Sequence, residues 1–397
     1  MATKVTPEVE TFARIKVVGA GGSGSNAVNH MVNEKVRGVE FIAVNTDAQD
    51  LHNTLAKRKI HIGKNLTKGL GAGMDPVIGK RAADETKEEI QEALKGADMV
   101  FLTGGMGGGT GTGAMPSIAQ VSRELGALTI GVVTKPFSFE GAQRMRIAQQ
   151  GLDELRKEVD ALVVIPNDRL FGIIQKDTSI NHAFKMCDEV LRQAVEGISD
   201  LITMPGIINV DFADIRAILQ NAGSALMGIG TATGEKRATE AAQMAINSPL
   251  LDVSVSGAKG VLFAIAGGDD LTMMEIQEAA KVITENVDKD AKIIFGAIKD
   301  DRLKKNEIKV TVIASGFPEN NGANPSLFQF GRKEVKEKEE TVGAKIAANK
   351  KEEAKMEREE MISAQAPKPA PTIELKPKAD DDEDEWGAIP AFLRRKK

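Results

Sequence analysis

Gly104-Gly105-Met106-Gly107-Gly108-Gly109-Thr110-Gly111-Thr112-Gly113 decides the fold of this chain: seven of its ten residues are glycine. The run follows an apolar strand candidate, Asp98-Met99-Val100-Phe101-Leu102-Thr103, and leads into Ala114-Met115-Pro116-Ser117-Ile118-Ala119, which reads as a helix. Glycine has no Cβ, so such a loop turns tightly and brings backbone N–H groups against a ligand. At a helix N-terminus those groups and the helix dipole favour an anion, here a polyphosphate. Thr110 and Thr112 add hydroxyls for phosphate or for a bound metal ion. A flexible linker is a poor account of the run, because linkers are not framed by a buried strand and a helix and this one is not serine-rich.

The same strand–glycine loop–helix pattern recurs on either side. Arg14-Ile15-Lys16-Val17-Val18 enters Gly19-Ala20-Gly21-Gly22-Ser23-Gly24-Ser25-Asn26, with a helix expected from about 27 to 33. Strands follow at 39–44 and 60–62, then a third glycine loop, Gly69-Leu70-Gly71-Ala72-Gly73. Further strands fall at 128–133 and 161–166. Apolar runs of this kind suit parallel strands buried on both faces. Their alternation with helices predicts a doubly wound, mostly parallel α/β sheet, whose ligands sit at the carboxyl ends of the strands. A long helix is expected over 179–201. A second, smaller α/β region follows, with strands near 260–266, 292–297 and 309–314 and helices near 212–220, 236–247 and 272–287.

Past about residue 317 the composition changes. Residues 331–385 contain no aromatic side chain and are dominated by Lys and Glu, then by Pro-rich and acidic stretches. Such a segment cannot bury enough apolar surface to offset its ordering entropy and reads as a solvated tether. The last dozen residues, from Trp386 to Lys397, regain apolar side chains, a recognition-peptide pattern.

The 397 residues carry a net charge of −5, which gives no argument for bulk nucleic-acid affinity. The single cysteine, Cys187, excludes an internal disulfide framework and suits a reducing compartment. The first residues lack a signal peptide's apolar core, and no apolar stretch has the length of a membrane span. His30, His52, His61 and His182 are scattered and are expected to be structural or exposed.

Gly19-x-Gly21-x-x-Gly24 matches the dinucleotide fingerprint, with Asp47 at the end of the next strand in place of a ribose-binding acid. Taken alone, this predicts a nicotinamide-dependent oxidoreductase. The longer second glycine loop has no role in that scheme, whereas a nucleoside triphosphate uses several phosphate-contacting loops. No Gly-Lys-Ser/Thr ending marks a Walker A loop, so the phosphates would rely on backbone N–H groups and Mg²⁺. Glu140 and Arg144, four apart at a helix start, form either a surface ion pair or sugar and phosphate contacts. Asp211 and Asp214 are either helix caps or two acids that position a water.

Together these motifs resemble the FtsZ family, the cell-division GTPases of the tubulin superfamily, from about residue 12 to 315. The second glycine loop is similar to the tubulin signature. Asn45-Thr46-Asp47-Ala48-Gln49, Phe139-Glu140-Gly141, Pro166-Asn167-Asp168 and Asn209-Val210-Asp211-Phe212-Ala213-Asp214 resemble family motifs in family order. The resemblance implies a GTP-binding domain over 12–178, a core helix over 179–204 and a C-terminal domain over 205–316. It also implies a linker over 317–384 and a partner-binding peptide over 385–397. It implies that Gly22, Ser23, Gly24, Ser25 and Asn26, with Gly109, Thr110 and Gly111, cradle the phosphates. Gly71, Ala72 and Gly73 would face the γ-phosphate, and Glu140, Arg144 and Asn167 the ribose. Phe184 would stack on guanine while Asp188 hydrogen-bonds its edge. Asn209, Asp211 and Asp214 would complete the site of a neighbouring subunit. Ser23 and Ser25 stand where many relatives have an unbroken glycine run, and their Cβ atoms are expected to crowd the phosphates.

By the same resemblance the activity is GTP hydrolysis with GTP/GDP and Mg²⁺, the magnesium held through phosphates and water and not by side chains. The chain would polymerise head to tail in the cytoplasm, beneath the inner membrane at midcell. Ile389, Pro390, Phe392, Leu393 and Arg394 would bind FtsA- or ZipA-like adaptors. A polymer that binds GTP without hydrolysing it is the other alternative, disfavoured by the intact acids.

Overall fold

The computed structural model describes residues 13–172, 178–204, 206–248, 255, 257–300 and 302–317. The chain divides into Met1–Glu319 and Asn320–Lys397, and every described residue lies in the first unit. The expected tether and the terminal peptide, with Ile389, Pro390, Phe392, Leu393 and Arg394, lie outside the described residues.

The first half runs β1 (Ile15–Ala20), α1 (Gly21–Asn33), β2 (Val39–Asn45), α2 (Ala48–Asn53), β3 (Arg58–His61), α3 (Lys64–Thr67), α4 (Pro76–Glu85) and α5 (Lys87–Leu94). It continues with β4 (Met99–Gly105), α6 (Thr110–Glu124), β5 (Leu128–Lys135), α7 (Ala142–Glu158) and β6 (Ala161–Pro166). The second half runs α8 (Ile180–Thr203), β7 (Gly206–Ile208), α9 (Phe212–Leu219), β8 (Gly223–Thr233), α10 (Arg237–Ile246), β9 (Gly260–Gly267), α11 (Met273–Thr284), β10 (Lys292–Lys299) and β11 (Glu307–Ser315). The strands form one sheet in the order β3-β2-β1-β4-β5-β6-β8-β11-β9-β10-β7. β1 to β6 are all parallel, as the continuous apolar runs predict.

The two α/β regions share this sheet. β6 pairs with β8 in parallel through Ala161↔Gly223, Leu162↔Ser224 and Val163↔Ala225. Asp160 pins that joint: its Oδ2 accepts the Thr129 N–H at 2.9 Å and its carbonyl accepts the Gly223 N–H at 2.9 Å. Buried helix α8 lies against the joint, contributing Leu191, Ala194, Val195 and Ile198 to a core shared with Val163, Ala225 and Leu262.

Two helices start earlier than the sequence suggests. α1 begins at Gly21 and not near 27, and α6 at Thr110 and not at Ala114. Glycine costs about 1 kcal/mol in a helix, so local propensity argues against both starts. Close approach decides the matter. A β-carbon on Gly24 would stand 2.8 Å from the Thr103 carbonyl oxygen, and one on Gly113 would fall on the Pro76 carbonyl. β8 escapes sequence reading for the same reason, since β-carbons on Gly228 and Gly230 would strike the Ala245 and Ala241 carbonyls of α10.

Candidate functional site

Three glycine loops meet at the carboxyl ends of β1, β3 and β4. Gly21, at φ +71°, brings the first loop against the second, where a β-carbon would stand 3.0 Å from the Gly111 nitrogen. The Gly109 N–H donates to the Gly73 carbonyl at 2.9 Å, which ties the second loop to the third. The Thr46 and Thr110 hydroxyls are paired at 2.6 Å, so the β2 exit is held to the start of α6. Gly108 and Gly73 have open space where a β-carbon would go. The loops therefore support one another through backbone while leaving their free face to a cavity of about 460 Å³. That volume is within the usual range for a small-molecule ligand.

The cavity continues past the loops toward α8. Glu140 sits at the end of a short 3-10 turn, Ser138–Glu140. One carboxylate oxygen of Glu140 accepts the Phe137 N–H at 2.8 Å and the other pairs with Arg144 Nε at 3.2 Å. Asn167 is buried, and its Oδ1 has no hydrogen-bond partner. A buried acceptor or donor left open at a cavity wall is a costly arrangement unless a ligand completes it. Phe184 projects 41% exposed at the far end, edge-on to Phe137 with ring centroids 5.6 Å apart. Asp188 lies one helical turn beyond it. Burial pushes the Asp188 carboxyl up to about 6, against an opposing attraction from His30. Burial, with the nearby charges of Asp188 and Glu140, pushes the Cys187 thiol up to about 12, so this cavity-lining cysteine is neutral.

Of the sequence-predicted residues, Gly22, Ser23, Asn26, Gly73, Gly109, Thr110, Gly111, Glu140, Arg144, Asn167, Phe184 and Asp188 line the cavity. Gly24, Ser25, Gly71 and Ala72 do not. Gly24 is packed against β1 and β4, and the Ser25 side chain is buried. Crowding of the cavity by a serine side chain is thus confined to Ser23. Sequence reasoning missed Ala20, Gly21, Gly105, Met106, Gly108, Thr134, Pro136 and Cys187 as lining residues. Thr134 lies near the end of β5 and Pro136 follows the strand, and the rule that ligands sit at strand carboxyl ends points to them. Asp47 is not in the wall. Its Oδ1 caps α2 by accepting the Gln49 and Asp50 N–H groups at 2.9 and 3.0 Å, and the acid that the oxidoreductase reading needs is absent from the cavity lining.

Asn209, Asp211 and Asp214 lie away from this wall, the first two between β7 and α9 and Asp214 in the first turn of α9. Asn209 Oδ1 accepts the Gly206 N–H at 2.7 Å, and Asp211 Oδ1 accepts the Asp214 N–H at 2.8 Å as the N-cap of α9. The capping role expected of Asp211 is therefore real and leaves its second oxygen over, while Asp214 enters the cap through its backbone N–H and not through its carboxylate. Large apolar side chains stand in solvent beside both regions: Leu70, Met74 and Val77 at the third glycine loop, and Ile207 on β7. Among the described residues no group of three or more His, Cys, Asp or Glu side chains is arranged to hold a metal ion, and no helix is long and apolar enough to cross a membrane.

Comparison with known proteins agrees with this geometry. Residues 14–175 match the GTPase domain of the Tubulin/FtsZ family, and residues 223–318 match the C-terminal domain of the FtsZ family. A solved FtsZ dimer from M. jannaschii is 49% identical, with a TM-score of 0.74, over 77% of this chain and 89% of that one. A tryptophan-to-tyrosine mutant of the M. jannaschii FtsZ is 48% identical, with the same TM-score, over 77% and 92%. CetZ2 from Haloferax volcanii, solved as a GTPγS-bound protofilament, shares the fold at 20% identity and a TM-score of 0.67, over 77% and 94%.

Proposed function

The chain belongs to the tubulin/FtsZ family of GTPases, and from that premise we propose that it hydrolyses GTP at a site completed by two subunits of a head-to-tail filament. The observation that carries this reading is a separation within one chain. The nucleotide-sized cavity is lined by the glycine loops, Glu140, Arg144, Asn167, Phe184 and Asp188, while Asn209, Asp211 and Asp214 stand outside it. A second copy stacked on the cavity mouth would supply the missing acids, and the exposed apolar residues at both regions suit such a contact. A head-to-tail contact that does not close on itself yields an open filament.

In this reading the residues 12–178 bind GTP, 179–204 form the core helix and 205–316 the activating domain. The first and second glycine loops hold the phosphates by backbone N–H groups, and the third loop faces the γ-phosphate through Gly73. Glu140, Arg144 and the open Asn167 Oδ1 take the ribose. Phe184 stacks on the base, and the Asp188 carboxylate accepts two N–H groups from guanine, where adenine offers an acceptor. Among the cavity-lining residues described, Arg144 is the only cationic side chain. A triphosphate therefore brings more negative charge than the wall offsets, and Mg²⁺ fits as an ion carried on phosphate oxygens and water, where it supplies charge neutralisation. Asp211 and Asp214 of the neighbouring subunit orient the attacking water, with Asn209 beside them. Hydrolysis weakens the contact that GTP favours.

The family further suggests a division ring at midcell beneath the membrane, with residues 385–397 binding FtsA- or ZipA-like adaptors across the 317–384 linker. Light scattering and phosphate release, recorded together with GTP across protein concentrations, test the core of the proposal. Specific activity is expected near zero in dilute protein and to rise above a threshold as scattering appears. Full activity per chain in dilute monomer would refute a shared site.

A further inference from the structure

The turn that carries Glu140 is held from outside the cavity. Asp168 follows Asn167 at the exit of β6, and its Oδ1 accepts the Ser138 N–H at 2.9 Å. Asp168 itself does not line the cavity. The turn it grips serves both ends of the nucleoside half of the site. Toward the ribose, Glu140 closes onto the Phe137 N–H and pairs with Arg144. Toward the base, the ring of Phe137 is 1% exposed and stands at 85° to Phe184, fixing the face that ring presents. One carboxylate thus sets the spacing between Asn167, just after β6, and the groups on the turn.

Resting on the GTP-site reading above, we propose that Asp168 is a positioning residue for the nucleoside: it locks the Phe137–Glu140 turn against Asn167 so that base and ribose contacts are made together. The phosphate loops do not depend on it. They are braced by their own bonds, Gly109 to Gly73 and Thr46 to Thr110.

Two variants remove the same bond from opposite sides. Asp168→Ala removes the acceptor. Ser138→Pro removes the N–H donor, and it suits the local backbone: Phe137 has ψ 151°, the conformation favoured before proline, and Ser138 opens a helical turn, where proline is tolerated. Equilibrium GTP binding by full-length protein, competed with inorganic tripolyphosphate, reads out the two halves of the site. Each variant is expected to weaken GTP binding about tenfold, the effect of one hydrogen bond to a charged group, while leaving tripolyphosphate affinity unchanged. The double variant should be no worse than either single, because both break one bond. Asp168→Asn keeps an oxygen acceptor and should recover most of the affinity, with kcat at saturating GTP near that of the original chain. Unchanged GTP affinity in both single variants overturns the proposal, as does an equal loss of tripolyphosphate binding, which would mean general collapse. Failure of the unaltered chain to bind GTP would instead overturn the site reading beneath it.

Discussion

Replacing Asp188 by asparagine should stabilise the empty protein while impairing its ligand site. Burial raises the carboxyl from 3.8 to about 6, with His30 opposing the shift. The folded state therefore binds this proton more tightly than the unfolded state does. Between about pH 4 and pH 6 folding takes up a proton, so the contribution of this group to stability is greatest with the carboxyl protonated. It falls as pH rises through that window and is level above it. The difference corresponds to about 3 kcal/mol between the two ends. Asparagine has the shape of the protonated acid and no charge to desolvate. At neutral pH the nucleotide-free Asp188→Asn protein should thus melt higher by up to about 5 °C for a domain of this size, and the gain should vanish toward pH 4. Thermal melts of both proteins without nucleotide across that range measure the difference directly, since the other titrating groups cancel. GTP affinity should move the other way, rising with pH up to about 6 in the original chain and becoming flat in the variant, because only the ionised carboxylate accepts both guanine N–H groups. A melting difference independent of pH, or a variant less stable than the parent at neutral pH, would refute the burial argument.

Asp214→Ala should bind GTP normally and release phosphate about 10²–10⁴-fold more slowly, with filaments that persist; a fall in melting temperature with normal turnover would restrict the acid to helix capping. Gly109→Ala puts a β-carbon onto the Gly73 carbonyl oxygen and 2.9 Å from that of Ala72, so it should cost about 1–3 kcal/mol and abolish saturable GTP binding, as read by melts and equilibrium dialysis. Deleting residues 386–397 should leave phosphate release and scattering intact while abolishing capture on vesicles that carry a membrane adaptor of the FtsA type. Retained capture would remove the tail from that role.

The glycine loops made the nucleotide half of the molecule legible, because three strand–glycine–helix units allow few arrangements and all place their loops on one edge. What stayed hidden depended on atoms distant in sequence. The role of Gly24 follows from the Thr103 carbonyl and that of Gly113 from Pro76, so helix starts inside glycine runs were invisible to propensity. β8, Gly223–Thr233, is not among the expected strands, because the glycines that the packing of α10 requires break up its apolar pattern. The joint between the two halves rests on Asp160 and three residue pairs, none of which has a periodic signature. Asp47 shows the opposite error: it sits in sequence where a ribose acid belongs, but in the fold it caps α2 and does not line the cavity.

The reach of the acids bears on whether one chain can act alone. Phe184 and Asp188 lie near the start of α8, a helix of 24 residues ending at Thr203. From Asp188 to that end the helix rises about 22 Å. The chain then enters β7, which occupies the far edge of the sheet, five strands beyond β6 in the order. At the usual strand spacing that is about 24 Å across the sheet. Both routes, along the helix and across the strands, separate the Asn209–Asp214 loop from the cavity of its own chain by several times the reach of a carboxylate. α8 is also tightly held. Arg302, between β10 and β11, pairs with its Glu196 at 2.5 Å and with its Asp200 at 2.9 Å. Closing the gap within one chain would mean breaking these partly buried ion pairs and drawing α8 out of the core. Bringing a second copy onto the cavity mouth, as proposed, needs neither and would cover the exposed Leu70, Met74 and Val77 on one side and Ile207 on the other. On the proposed reading, the same rigidity that would keep a free subunit from completing its own site makes the contact between subunits the place for hydrolysis.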